Sequence, residues 1–434
     1  MTEPVETRFE IRTADWLGVG EAQARILGHA TPLPTERVAL LDALGRALAE
    51  GEVARATLPP WDNSAMDGYA VYGDDVAGAS PGRPIRLTVA GRVHAGDPPP
   101  PPPERGQAVR IMTGAPVPPG LDTVVRVEDT DAEAEPGIVH VLKDRDRGRH
   151  VRPSGQDVEA GAAALPAGWP VHAGTIAMLA ALGTSEVMVH ARPRVAILGT
   201  GNELREPERY DEVIAGAGIP ESNGPTLCAA VLEAGAVPHL LGVAPDREDA
   251  ILAGLERGRG ADALVTVGGA SMGEADLVKR ALDRRGFRLD FWRVRMRPGT
   301  PFSFGLLPRG EASPQPVFGL PGNPASAFVT FELFVRPFLL RLAGHHDVFR
   351  LKLTVVAGAD IHGSPDRTMY VRVGLDTTAD PPRVVPSGPQ GSGLVRSLPG
   401  AEALAVVPEG REVVREGETL EALVLRLPPS SLPG

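Results

Sequence analysis

Between about residues 191 and 342, short apolar runs alternate with helical patterns, and this alternation limits the possible folds more than any other feature. Runs at 195–198, 237–243, 263–267 and 317–320 read as compact strands. A helix from about Pro225 is capped by Ser222 or Asn223 and stopped by Gly235. Others run through 250–256, 275–285 and 325–342. Asp246, with Asp249 three residues on, sits where an N-cap belongs. Short apolar strands separated by helices predict a parallel sheet covered on both faces.

The flanks have another character. Residues 8–30 predict a helix with Ala22, Ile26 and Ala30 on one face, and 36–50 a second with Val38, Leu41, Leu44 and Leu48 as its stripe. From 59 to 166 the chain turns to short β-like runs at 85–89, 108–112 and 123–127. Six prolines at 98–103 read as an exposed polyproline stretch. The tail, 348–434, predicts a small separate barrel or sandwich from runs at 351–356, 404–407 and 422–427. Gly and Pro together make 95 of 434 residues, about 22% against roughly 12% in average usage, which excludes a pure helical bundle.

Charge and cysteine narrow the partners. A net charge of −11 argues against a polyanion such as duplex nucleic acid and against anionic lipid. The single cysteine, Cys228, allows no internal disulfide and reads as a small core side chain. No secretory signal or membrane-spanning run is visible, so the expectation is a cytoplasmic protein.

Three of the strands end in glycine- or proline-rich turns: Gly199-Thr200-Gly201-Asn202-Glu203, Gly268-Gly269-Ala270-Ser271-Met272-Gly273, and Gly319-Leu320-Pro321-Gly322-Asn323-Pro324. Turns at the carboxyl ends of parallel strands are where ligands bind, and bare backbone amides there suit a phosphate or oxyanion. Leu204 breaks the dinucleotide fingerprint, and neither a P-loop nor a His-Glu-x-x-His motif occurs. Glu203, Asp246 and Asp276 punctuate the same segment, with Asp67 and Asp157 earlier. Hard oxygen donors beside phosphate turns are what Mg²⁺ needs, although taken alone Asp246 reads first as a plain helix cap, and a first-turn helix charge accounts for Asp276 equally well. Asp67 lies in a dense polar stretch flanked by Trp61, Tyr69 and Tyr72, a candidate functional loop. Two basic runs stand out. Arg293, Arg295 and Arg297 would share one face of a strand, and Arg145, Arg147, Arg149 and Arg152 precede Asp157. Either is a solvated face or a positive cleft.

Taken in order, these motifs resemble the molybdopterin molybdenumtransferase family, which includes the E domain of gephyrin. The resemblance runs over about 10–430. It rests on Pro60-Trp61-Asp62-Asn63-Ser64-Ala65-Met66-Asp67-Gly68-Tyr69-Ala70, on Thr113-Gly114-Ala115, on Asp122-Thr123-Val124-Val125 with Glu128, on Gly155-Gln156-Asp157, on the three turns above, and on Gln390-Gly391-Ser392-Gly393. It implies a multidomain α/β plus β protein: a helical or mixed linking domain (8–58 and 159–190), an irregular β-rich domain (59–158), a central three-layer αβα domain with a mostly parallel sheet (191–344) and a C-terminal small β-barrel (345–434).

The reaction it implies is insertion of molybdenum from molybdate into adenylylated molybdopterin with release of AMP and help from Mg²⁺. The resemblance gives catalytic positions Asp67, Thr113, Asp157, Glu203, Asp246 and Asp276, with Glu203, Asp246 and Asp276 also as metal ligands. Substrate contacts would come from Gly201, Gly268, Gly269, Ser271, Lys279, Arg297, Pro321, Gly322, Pro324 and Ser326. It further implies a homodimer whose cleft both subunits line, and contact with the molybdopterin adenylyltransferase. The chain departs from the family pattern at Thr300, where a lysine is usual, at Glu221 in place of Asp, and at Asn202 in place of an acid. The alternatives are a non-catalytic pterin-binding scaffold of the same fold, or an unrelated phosphate transferase on the same sheet.

Overall fold

The computed structural model describes residues 16–268 and 276–427. The chain divides into two compact units, one of residues 1–49, 168–172 and 186–434, the other of 50–167 and 173–185.

The first unit is built on a six-stranded sheet. Its strands are β1 (Arg194–Thr200), β2 (Val237–Ala244), β3 (Ala263–Val267), β4 (Arg288–Trp292), β5 (Ser303–Arg309) and β6 (Ala312–Leu320), in the order β2-β1-β3-β6-β5-β4. β1 pairs parallel with β2 and β3, and β3 pairs parallel with β6. β5 pairs antiparallel with both β6 and β4, so the sheet is mixed and only β5 runs against the rest. Alternate residues of β1 enter different cores. Val195 and Ile197 pack with Leu227 and Val231 of α1 (Asn223–Glu233). Ala196 and Leu198 pack with Ile251 and Leu255 of α2 (Glu248–Arg257), and with Val278 and Leu282 of α3 (Leu277–Arg284). Two cores separated by one strand's pleat make the three layers. The predicted helix 325–342 is α4 (Pro324–Thr330) and α5 (Arg336–Leu342), joined by a π-turn at Phe331–Val335. Phe302, Phe318, Phe334 and Phe338 fill the core beneath it.

In the same unit Lys352–Ala357, Thr368–Asp376, Arg383–Pro386, Ala403–Val407 and Thr419–Val424 pair in a closed ring, a five-stranded barrel. Closure decides between the barrel and sandwich readings.

Three local expectations fail. The stripe at 36–50 is not a helix: Thr35–Ala39 is a strand paired antiparallel with Glu186–His190, and Leu41 and Leu44 are 77% and 53% exposed. The helix expected over 8–30 is confined to Val19–Leu27 between Gly18 and Gly28, with 8–15 outside the described residues. Nor do Arg293, Arg295 and Arg297 share a strand. β4 ends at Trp292, Arg293 turns to φ 71° with its guanidinium 3.9 Å from the Trp292 ring centroid, and Met296–Arg297 pairs with Thr368 and Met369.

The second unit holds a five-stranded sheet in the order Thr123–Arg126, Gly68–Val71, Gln107–Ile111, Ile85–Val93, Ile138–Val141. A Cβ on Gly68 would lie 2.0 Å from the Val125 carbonyl oxygen, so only glycine fits there. Prolines 98–103 form neither helix nor strand, and the Tyr72 hydroxyl donates to the Pro103 carbonyl at 3.2 Å. Among the described residues no helix is long and apolar enough to cross a membrane.

Candidate active site

A cavity of 810 Å³ opens at the carboxyl ends of β1, β2, β3 and β6. Thr200, Gly201 and Glu203 reach it from β1, Asp246 from β2, Gly268 from β3, and Pro321, Gly322 and Asn323 from β6. Two glycines make this possible. Gly201 has φ 147°, and a Cβ there would lie 2.8 Å from both carboxylate oxygens of Glu203. Gly268 has φ 89°, and its Cβ would come within 2.6 Å of the Thr200 carbonyl oxygen. Bare backbone therefore lets Glu203 fold back and lets the β1 and β3 turns touch.

Asp276 also lines the cavity. It caps α3, its Oδ1 accepting the main-chain N–H of Val278 at 2.9 Å and of Lys279 at 3.2 Å. Its Oδ2 is buried with no hydrogen-bond partner among the described residues. Burial, with some repulsion from Asp246, pushes this carboxyl up to about 6. Asp246 is not the cap of α2, because Arg247 holds that position. Instead Asp246 and Asn202 exchange hydrogen bonds at 3.1 and 3.0 Å.

Two further lining residues are Asn223, read in sequence as a helix cap, and Glu221, read there only as a departure from the family pattern. Asn223 reaches from the first turn of α1 to donate Nδ2–H to the Gly322 carbonyl at 2.8 Å, tying the β6 turn to α1. Glu221 is buried, and its Oε1 accepts the Gly224 N–H at 2.9 Å. Of the other expected contacts, Lys279 pairs with Asp283 at 3.2 Å, Pro324 opens α4, Ser326 is buried within it, and Arg297 is exposed; none lines the cavity. Gly269 and Ser271 lie outside the described residues. Thr300 donates its hydroxyl to the Met296 carbonyl at 2.6 Å and accepts from Arg367 at 3.4 Å. Beside the β6 turn, Asn323 Nδ2 donates to the Ser392 hydroxyl oxygen at 3.1 Å. Cys228 is half-buried against the core, and burial pushes its thiol up.

In the second unit Asp67 Oδ1 accepts both the main-chain N–H and the hydroxyl of Thr113, each at 2.7 Å, and these bonds hold its carboxyl below the usual range. Asp157, in the same unit, is exposed. Arg145 is bound to Asp129 at 2.6 Å and Arg147 to Asp74, so both are engaged by carboxylates.

Among the described residues no three acids, histidines or cysteines converge into a ready metal cage. Glu203, Asp246 and Asp276 line the cavity instead, and a buried Asp276 oxygen that has no partner among the described residues suits a hard cation that completes its shell with phosphate and water.

A mixed sheet with carboxylates and glycine turns at its carboxyl end, followed by a closed barrel, defines a multidomain α/β protein with a carboxylate-lined cavity at the ends of its strands. Family models described as the MoeA N-terminal region (domain I and II), a probable molybdopterin binding domain and the MoeA C-terminal region (domain IV) match residues 17–183, 196–341 and 354–425. The chain is 37% identical over 390 residues to molybdopterin molybdenumtransferase 2 of Mycobacterium tuberculosis, covering 88% of this chain and 93% of the relative. It is 33% identical over 411 residues to the molybdopterin molybdenumtransferase of Bacillus subtilis, covering 94% of each. A crystal structure of the molybdopterin biosynthesis moeA protein from Pyrococcus horikoshii OT3 matches with a TM-score of 0.79 at 30% identity, over 94% of this chain and 100% of that one. The chain belongs to the molybdopterin molybdenumtransferase (MoeA) family.

Proposed function

We propose that this chain transfers molybdenum from molybdate to the dithiolene of adenylylated molybdopterin and releases AMP. The observation that carries the reading is one cavity holding Glu203, Asp246 and Asp276 together with glycine and proline turns from three strands. Relatives named for molybdenum transfer to molybdopterin support it. Backbone at Gly201 and Gly268 can approach phosphate, while Pro321 and Gly322, fastened by Asn223, shape the far wall. Glu203, Asp246 and Asp276 would hold Mg²⁺, which when bound supplies positive charge at the phosphate being displaced. Asp67, kept ionised by Thr113, and Asp157 would be further carboxylates of the reaction. The reading includes a cytoplasmic homodimer of the four-part layout set out above, and contact with the molybdopterin adenylyltransferase that makes its substrate.

Purified chain supplied with adenylylated molybdopterin should release AMP only when molybdate and Mg²⁺ are both present, and EDTA should stop it. Asp67→Asn and Asp276→Asn should each cut that rate by about two orders of magnitude with the fold intact. Tight pterin binding without AMP release would make the chain a scaffold instead.

A further inference from the structure

We infer that Asn202 is a positioning residue for Asp246; its kinetic consequence rests on the proposed reaction, while its geometry does not. β1 and β2 pair in parallel register as far as Thr200 opposite Ala244. Two residues beyond, the main-chain ladder has ended and side chains take it over. The Asn202 main-chain N–H donates to Asp246 Oδ2 at 3.1 Å, and the Asp246 main-chain N–H donates to Asn202 Oδ1 at 3.0 Å. The Gly201 N–H, donating to the Ala244 carbonyl at 3.3 Å, closes the base of this clasp. From the other side, Arg205 Nη1 donates to the Asn202 carbonyl at 2.7 Å, and Arg205 is itself held by Glu212 at 2.7 Å.

Asn202 and Asp246 are both exposed, so packing does not fix the carboxylate; the reciprocal hydrogen bonds do. One bond engages Asp246 Oδ2 and the other holds its main-chain N–H, and Asp246 so fixed lines the cavity. An amide at 202 accepts the Asp246 N–H without adding a negative charge beside Glu203, Asp246 and Asp276. Misplacing a reacting group by about 1 Å can cost on the order of a hundredfold in rate, so a loosened clasp should appear in turnover.

The test compares wild type with Asn202→Ala, which removes the acceptor, and Asn202→Asp, which keeps it. Three readouts are needed: AMP release, Tm, and hydrogen exchange at the Asp246 amide. Asn202→Ala is expected to lower kcat by roughly tenfold to a hundredfold with the pterin KM changed by less than about threefold. Its Tm should stay within a degree or two while the Asp246 amide exchanges at least about tenfold faster. Asn202→Asp should restore slow exchange and bring kcat back to within about fivefold of wild type. Unchanged kcat in Asn202→Ala, equal losses in both variants, or a loss that follows a fall in Tm would each overturn the assignment. If wild type itself releases no AMP, the proposed reaction fails, and exchange at Asp246 alone then decides for or against the clasp.

Discussion

At Asp276 one carboxylate oxygen accepts two helix amides while the other is buried without a partner among the described residues. Burial raises this carboxyl from 3.8 to about 6, so the folded chain holds the proton more tightly than the unfolded chain does. Such a group contributes stability that is complete below about pH 4 and is lost as the pH rises through about 6. Asparagine can still cap α3 and carries no charge. Asp276→Asn should therefore match wild-type Tm near pH 4 and exceed it by a few degrees at pH 8 in chelator-treated protein. Equal Tm values across that range would overturn the argument. Glu203 and Asp276 are legible in sequence as candidate cavity carboxylates, because each stands beside a glycine-rich strand-end turn, whereas Asp246 reads there first as a helix cap. Asn223 is not legible as a lining residue, because its partner Gly322 lies 99 residues away and its own neighbours read as a plain helix start.

For whole elements, periodicity succeeds where an element is buried by its own repeat. All five residues of β3 are buried, and the strands expected at 195–198, 237–243, 263–267 and 317–320 all appear, overlapping their expected places. It fails at 36–50, where a helical spacing of leucines coincides with a strand fixed by pairing to Glu186–His190 some 150 residues later. Tertiary pairing there overrides a local pattern that exposes Leu41 and Leu44. Gly68 gives a sharper test of strand packing. Its missing Cβ faces backbone rather than a movable side chain, so the clash cannot be relieved by a rotamer change. Gly68→Ala should destabilise the protein by about 2 kcal/mol or more, read as a lowered urea midpoint with an unchanged m-value. A shift of less than about 0.5 kcal/mol would mean that the strands can move apart without cost.

At the scale of the molecule, two units with separate cores need not unfold together. Trp16, Trp169 and Trp292 belong to the first unit and Trp61 to the second, so fluorescence reports mainly on the first while far-UV circular dichroism reports on both. Urea transitions followed by the two signals should not coincide; a single shared midpoint would mean one cooperative block. The six-stranded sheet and the barrel of the first unit also differ in how they would behave at high concentration. The barrel closes on itself, whereas among the described residues β2 is paired on one side only, and it exposes Val237 and Leu240. An open strand with apolar side chains is a template for another chain, and lysine is a common guard on such edges. Val237→Lys should therefore leave Tm nearly unchanged and reduce concentration-dependent light scattering, making solubility a property of one strand.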